Sequence, residues 1–348
     1  MDLATQVVCW QQVHGRHDLP WQNTRDPYRV WLSEIMLQQT QVTTILRYFP
    51  RFLERFPNVS SLAAAPLDDV LGMWSGLGYY SRARNLHSCA VEVMQGHGGR
   101  FPTTAQLLQT LPGIGRSTAA AIASLCFGER VAIMDGNVRR VLTRLLGFRG
   151  DLAEAPQERA LWTEATRLLP DAGMEAYTQG LMDLGATVCS QRAPACLLCP
   201  VRSLCVACRE GQPERYPVKS RRLKRSRREN HWVSLAWRDR LWLVQRPPRG
   251  IWASLWSLSE FESNAAFAAT SAAWPGETRS LASFTHVLTH LDWRLHPVQH
   301  AFPDQLDSVA LAGCVASMPE AANGRWFERA EVAGLGLPAA LRKLLPLL

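Results

Sequence analysis

The 348-residue chain has no apolar run approaching the ~20 residues that a bilayer span needs. Met1–Gln6 sets no basic segment ahead of an apolar stretch, so nothing there reads as a secretory signal. There is no internal repeat, and neither a collagen-like nor a coiled-coil pattern. With 47% hydrophobic and 20% charged residues, the composition excludes wholesale disorder and leaves an ordinary globular chain. At roughly 150 residues per domain, two domains are expected. The expected setting is cytoplasmic, with no membrane partner.

Acidic residues are the minority charge, 30 against 38 Lys and Arg, for a net charge of +8. Most of that excess is local. Residues 217–230 hold seven Lys/Arg and one Glu, and read as a basic linker. A solvated tether and a nucleic-acid contact both fit that composition.

Residues 1–216 read as mostly helical, with apolar residues at helical spacing over 60–74, 103–111, 117–127, 137–147, 156–169 and 175–188. From about 231 the texture changes. His231–Pro247 alternates around a polar Arg238-Asp239-Arg240 turn, which predicts a hairpin, and 284–299 predicts a second strand pair. The last residues, from Ala340, predict a helix. The second domain, 231–348, is therefore expected to be α+β.

Five of the nine cysteines fall between 189 and 208. Without a secretory signal, such clustering points to metal rather than disulfides. Two registers are open: Cys189, Cys196, Cys199 and Cys205, or Cys196, Cys199, Cys205 and Cys208. The second is cramped for tetrahedral zinc, and four thiolates from one compact loop also suit an iron–sulfur cluster.

Between two helical patterns stands Leu111-Pro112-Gly113-Ile114-Gly115-Arg116-Ser117. Gly113 and Gly115 permit a tight turn whose amides, at the start of a helix, can hold a phosphate. A plain structural turn is the alternative. Further on, Asp135-Gly136-Asn137 interrupts an apolar run and opens another helix, where Asp135 is either a cap or a reactive carboxylate. Near the N-terminus, Glu34 lies in Trp31-Leu32-Ser33-Glu34-Ile35-Met36-Leu37-Gln38-Gln39 among large apolar groups. A surface position is the ordinary reading. A desolvated Glu would instead have a raised pKa and act as a general acid near neutral pH.

Together these segments resemble the helix-hairpin-helix iron–sulfur DNA glycosylase superfamily, and within it the adenine DNA glycosylase (MutY) family. The resemblance covers nearly the whole chain, strongly over 19–42, 74–86, 111–140 and 177–205 and more loosely after 231. It selects the first cysteine register and a 4Fe–4S cluster on Cys189, Cys196, Cys199 and Cys205, with Arg192, Arg202 and Arg209 nearby to support DNA binding. It implies Glu34 as the general acid, Asp135 as the carboxylate that stabilises the sugar cation, and Asn137 as its orienting neighbour. Leu19-Pro20-Trp21-Gln22 resembles the adenine-pocket segment, so Trp21, Gln22 and Leu37 are expected around the base. Gly76-Leu77-Gly78-Tyr79-Tyr80 resembles the DNA-wedge segment, with Tyr79 beside the lesion and Gln39 assisting. The hairpin amides of Gly113 and Gly115 are expected to grip DNA.

Ser117 stands where bifunctional members carry a lysine. Its hydroxyl cannot form a Schiff base, so base removal without strand cleavage is expected. Phe284–His290 is similar to the 8-oxoguanine-reading segment of a Nudix-like domain, with Thr289 and His290 as the reading residues. Here the chain has Leu288-Thr289-His290 where the family often has Phe-Ser-His. The Glu-rich metal-binding helix of hydrolytic Nudix enzymes is missing. The implied substrate is double-stranded DNA with adenine opposite 8-oxoguanine or guanine, acted on by a monomer. The alternatives are an endonuclease III-like glycosylase/lyase for oxidised pyrimidines and a non-catalytic iron–sulfur DNA-binding protein.

Overall fold

The computed structural model describes residues 2–218, 220 and 224–348. Its first half is helical: α1 Leu3–His14, α2 Pro27–Leu37, α3 Val42–Arg55, α4 Val59–Ala64, α5 Leu67–Met73, α6 Ser81–Gly96, α7 Ala105–Leu108, α8 Arg116–Phe127, α9 Gly136–Leu146, α10 Ala155–Arg167, α11 Met174–Thr187 and α12 Val206–Arg209. The second half holds β1 Ser226–Trp237, β2 Arg240–Gln245, β3 Trp256–Ser257, β4 Ser259–Phe261, α13 Asn264–Ser271, β5 Glu277–Ser280, β6 Phe284–Val287, β7 Leu291–Phe302, α14 Ser308–Ala316, β8 Gly324–Glu328, α15 Arg329–Val332 and α16 Ala339–Leu344.

The helix predicted over 60–74 is broken. Pro66 ends α4 and caps α5 in an extended conformation, because it has no N–H to donate and disfavours a helical residue before it. The helix predicted over 103–111 shrinks to the four residues of α7 before the turn at Gly113. The helices predicted over 117–127, 137–147, 156–169 and 175–188 form with ends shifted by a residue or two, and the C-terminal one ends at Leu344.

The chain divides into two compact units, Met1–Ala64 with Asn85–Arg222, and Ala65–Arg84 with Leu223–Leu348. Residues 65–84, read from sequence as part of the helical domain, thus group with the sheet. Trp256 Nε1 donates to Asp68 (3.2 Å), the Tyr80 hydroxyl donates to the Leu337 carbonyl (2.8 Å), and Arg84 donates to the Ala253 carbonyl (2.8 Å).

In the first unit, α8, α9, α10 and α11 enclose a core that includes Val138, Leu142, Leu161, Tyr177, Leu181 and Leu184, closed by Leu3 and Val7 of α1. Helix α11 meets α9 at Gly185. A Cβ there would lie 2.7 Å from the Asn137 Cβ, so only glycine lets α9 approach this closely.

In the second unit the sheet order is β3-β2-β1-β7-β5, with β4 on β1, β6 on β7 and β8 on β2. The two predicted strand pairs are present: β1 and β2 are antiparallel around Arg238-Asp239, as are β6 and β7. Strands β1 and β7 run parallel over twelve residue pairs from Ser226↔Leu291 to Trp237↔Phe302. Flanked on both sides, β1 is nearly continuously buried from Asn230 to Trp237. The basic linker expected over 217–230 is correspondingly shorter, because Ser226–Asn230 belong to β1. The sheet recruits their charges. Arg228 stacks on Trp293 at 4.2 Å and pairs with Glu260 at 2.8 Å, and Asn230 accepts from Trp293 Nε1 at 2.9 Å. Residues 219 and 221–223 of that expected linker lie outside the described residues. Helix α13 carries no Asp or Glu.

Gly185→Ala is expected to cost about 1–3 kcal/mol, the usual range for overpacking a close contact. A thermal melt of the purified variant measures this. An unchanged midpoint would show that α9 and α11 separate freely.

Candidate active site

Helix α2 starts with Asp26 as its cap, whose Oδ1 accepts from the Tyr28 amide at 3.0 Å, and with Pro27 in its first turn. Seven of its eleven residues are buried. Val30, Glu34 and Leu37, at i, i+4 and i+7, nevertheless share one face, and that face lines a cleft of about 1560 Å³. The cleft is larger than a single base needs. It brings together Trp21, Gln22, Glu34, Leu37, Gln39, Ser117, Asp135 and Asn137, all of which the sequence singled out. Trp21 is held edge-on against Phe49 with ring centroids 5.5 Å apart. The Gln22 side-chain oxygen accepts from the Leu19 amide, while its side-chain nitrogen is buried with no protein partner among the described residues.

Burial pushes the Glu34 carboxyl up from the usual carboxylate range to about 7, and the charge of Asp135 adds to the shift. Asp135 is the cap that its sequence position allowed. It caps α9, its Oδ1 accepting from the Val138 amide at 2.7 Å, and it faces the cleft. Burial also raises its pKa. The Val138 and Asn137 amides and the guanidinium groups of Arg140 and Arg139 oppose that rise. The N-terminal end of a helix favours negative charge as well. Among the described residues, Glu34 has no comparable set of donors acting on its acidity. Amides and guanidinium groups thus favour the anion at Asp135 against its burial, while burial and the Asp135 charge both favour the acid form at Glu34.

The loop ahead of Asp135 is fixed by Ser117, whose hydroxyl oxygen accepts from the Met134 amide at 3.0 Å. Asn137 meets Asp135 through its backbone rather than its side chain. Its side-chain oxygen accepts from Arg140 at 2.8 Å. Gly113 and Gly115 stand just before α8, outside the cleft wall. Gly113 has φ +75°, and a Cβ there would lie 2.5 Å from the Asn85 Cβ, so the turn demands glycine. Among the described residues, neither glycine amide serves as a donor within the turn.

Tyr79, Thr289 and His290 lie in the second unit. Tyr79 has φ +47° and an exposed ring, and its hydroxyl lies 2.9 Å from the Thr289 hydroxyl. The His290 carbonyl accepts from the Ser226 amide at 3.0 Å, and its side chain is exposed.

The cysteine loop packs on α9. Cys189, Cys199 and Cys205 pack against the helical core. Burial pushes the Cys199 thiol up to about 12, with Cys189, Cys205 and Cys196 close enough to add to the shift. Three of the four thiols therefore lie against the apolar core, with Cys196 near Cys199. Among the described residues no group of three or more Cys, His, Asp or Glu is spaced to hold a single metal ion. A four-iron cluster places each thiolate on its own iron, and so accepts a wider set.

Sequence reasoning missed the arginines that tie these parts together. Arg140 donates to the Cys189 carbonyl at 2.7 Å and to Asn137, so one side chain joins the cysteine loop to the neighbour of Asp135. Arg144, buried, donates to the Ser190 carbonyl at 2.6 Å and to the Cys189 sulfur at 3.3 Å. The available signal was an arginine at a core position, between Leu142 and Leu145. Arg16 was missed as well. It lines the cleft and pairs at 2.7 Å with Asp183, a fully buried carboxylate that also accepts from Gln179 at 2.9 Å. An acid inside the apolar run Leu181–Leu184 was the corresponding signal.

A model described as the HhH-GPD superfamily base excision DNA repair protein matches residues 32–166, and one described as the NUDIX domain matches residues 231–347. The adenine DNA glycosylase of Buchnera aphidicola subsp. Schizaphis graminum is 32% identical over 347 residues, spanning 97% of this chain and 96% of that protein. The Homo sapiens adenine DNA glycosylase is 43% identical over 210 residues, 58% of this chain and 38% of its own. Among solved structures, a thermostable thymine-DNA glycosylase aligns with a TM-score of 0.53 at 28% identity, over 60% of this chain and 95% of that one. An endonuclease III–DNA complex, at 22% identity, shares the fold with a TM-score of 0.51 over 60% of this chain and 94% of that one. With both domain models in order along the sequence and a relative matched from end to end, this chain belongs to the adenine DNA glycosylase family of helix-hairpin-helix base excision repair enzymes.

Proposed function

We propose that the enzyme hydrolyses the N-glycosidic bond of adenine mispaired with 8-oxoguanine, and more weakly of adenine opposite guanine. The observation that carries the reading is the pairing, across one cleft, of a carboxyl that titrates near neutrality with a carboxylate held by amides and arginines. The adenine specificity of the named relatives supports the choice of base.

The adenosine leaves the stack, at a cost of a few kcal/mol, and enters the cleft between Trp21 and Leu37, beside Gln22. Protonated Glu34 gives its proton to N7 of the adenine. The C1′–N9 bond then breaks, and the base leaves with the bonding electrons. The Asp135 carboxylate offsets the positive charge that develops on the sugar. Water bonds to C1′ and yields its proton to the Glu34 carboxylate, which restores the acid. This division between two carboxyl groups parallels glycoside hydrolysis. Ser117 offers no amine, and its hydroxyl is engaged by Met134, so no Schiff base forms.

The Gly113 and Gly115 amides bind a phosphate beside the flipped nucleotide. Tyr79, with Gln39, takes the space beside the lesion, and Thr289 and His290 read the 8-oxoguanine. The Tyr79–Thr289 contact supports placing these two residues in one task. Cys189, Cys196, Cys199 and Cys205 would hold a 4Fe–4S cluster, a reading that the packing of Cys189, Cys199 and Cys205 on the core supports. When bound, the cluster cross-links the loop. Arg140 and Arg144 carry that order to α9, and Arg192, Arg202 and Arg209 add positive charge toward the DNA backbone.

The test is adenine release in single turnover from duplexes with adenine opposite 8-oxoguanine, guanine or thymine. Fast release opposite 8-oxoguanine, slower opposite guanine and none opposite thymine is expected. No release from any duplex by protein that binds DNA would overturn the proposal. Glu34→Gln and Asp135→Asn are each expected to lose about 10²–10⁴-fold in rate. Borohydride is expected to trap no protein–DNA adduct, and an abundant adduct would identify a lyase.

Because the acid form of Glu34 is the active one, the single-turnover rate should fall about tenfold per pH unit above pH 7. The same shift acts on stability. The native carboxyl keeps its proton up to about pH 7, whereas the unfolded chain releases it near the usual carboxylate value. Stability is therefore lost as pH rises across that interval. Glu34→Gln removes this penalty, so its melting midpoint should exceed the parent's at pH 8, with the difference closing toward pH 5. Equal differences at both pH values would mean that Glu34 is not shifted.

A further inference from the structure

Strands β6 and β7 pair up to Val287↔Asp292, and the turn Leu288-Thr289-His290 links them. Inside the turn, the Leu288 amide donates to the Leu291 carbonyl at 2.8 Å. The carbonyls of Leu288 and His290, one on each side of Thr289, are met from outside the hairpin. The Ser226 amide and hydroxyl donate to the His290 carbonyl at 3.0 and 3.2 Å. These bonds adjoin the first rung of the β1–β7 ladder, Ser226↔Leu291. Arg225 precedes the ladder and reaches the turn by its side chain. One terminal nitrogen of its guanidinium bridges the Leu288 carbonyl, at 3.0 Å, and the Asp292 carboxylate at the foot of the turn. The Thr289 hydroxyl lies 2.9 Å from that of Tyr79. The last residues of the expected basic linker therefore grip both ends of the turn that carries Thr289 and His290.

We propose, on the reading role given above to Thr289 and His290, that Arg225 is a positioning residue for 8-oxoguanine discrimination, holding the reading turn in its binding geometry. A hairpin tip is ordinarily among the more mobile parts of a domain. Fixing its carbonyls before DNA arrives lowers the ordering cost of reading the lesion. A cation that bridges a carbonyl and a carboxylate does this with charge-assisted bonds. The Arg225 and Asp292 side chains are 41% and 35% exposed. A pair so exposed adds little to stability, so the fold survives its removal.

The experiment is single-turnover adenine release at limiting concentrations of the full-length protein, read as the ratio of rates opposite 8-oxoguanine and opposite guanine. The set comprises wild type, Arg225→Ala, Thr289→Ala with His290→Ala, and the triple variant. Wild type should favour 8-oxoguanine, and Arg225→Ala should lower the ratio about threefold to tenfold, the worth of one hydrogen bond. Adding Arg225→Ala to the doubly substituted turn should lower the ratio no further, because Arg225 acts through those residues. An unchanged ratio in Arg225→Ala would overturn the proposal. So would an equal fall on both duplexes, which marks a contact with the DNA backbone, or a further full-sized fall in the triple variant. A wild-type ratio of one, or a doubly substituted turn that keeps the wild-type ratio, would instead overturn the reading role of Thr289 and His290.

Discussion

Two carboxylates facing one cleft impose the constraint on which this molecule depends. Burial raises the cost of charging each, and the charge on Asp135 raises the cost of charging Glu34. The fold breaks the symmetry between them. Asp135 sits at the start of α9, where amides and arginine side chains converge, and Glu34 sits midway along a buried helix. The rise is opposed at Asp135 and unopposed at Glu34 among the causes acting on each. The surrounding architecture maintains that inequality: the approach of α11 to α9 at Gly185, the Ser117 bond to the loop before Asp135, and the Arg140 link to the cysteine loop.

The same logic explains why buried arginines recur where no carboxylate meets them. Arg144 is satisfied by carbonyls at the start of the cysteine loop, which holds an irregular segment whose own backbone lacks ladder partners. The guanidinium fork suits this work because it presents several donors in a fixed plane. Helix α9 thus faces two ways, with Asp135 capping its start and Arg140 and Arg144, one turn apart, anchoring the thiol loop.

Much of the fold is legible in the sequence. The β1–β2 hairpin, the β6–β7 pair, the helices from Arg116 to Thr187, and the change of texture near 231 follow from local alternation and turn residues. The illegible parts depend on distant partners. Ser226–Asn230 read as a basic tether because charges dominate that stretch, yet β7 supplies a ladder, and Trp293 and Glu260 supply partners for Arg228. Residues 65–84 read as one more helical stretch, but their hydrogen bonds go to residues beyond 250.

By itself, the sequence determined the kinds of groups available and the local geometry that presents them. These are a Gly-rich turn between helices, an Asp placed to cap α9 and a Glu among apolar neighbours. Each follows from chemistry within a few residues. The tertiary structure alone decided the acidity of Glu34, the pairing of Arg16 with Asp183, and which thiols are anchored and which stand apart. Those properties arise from desolvation and from charges brought close by segments far along the chain, and no short stretch of sequence encodes them.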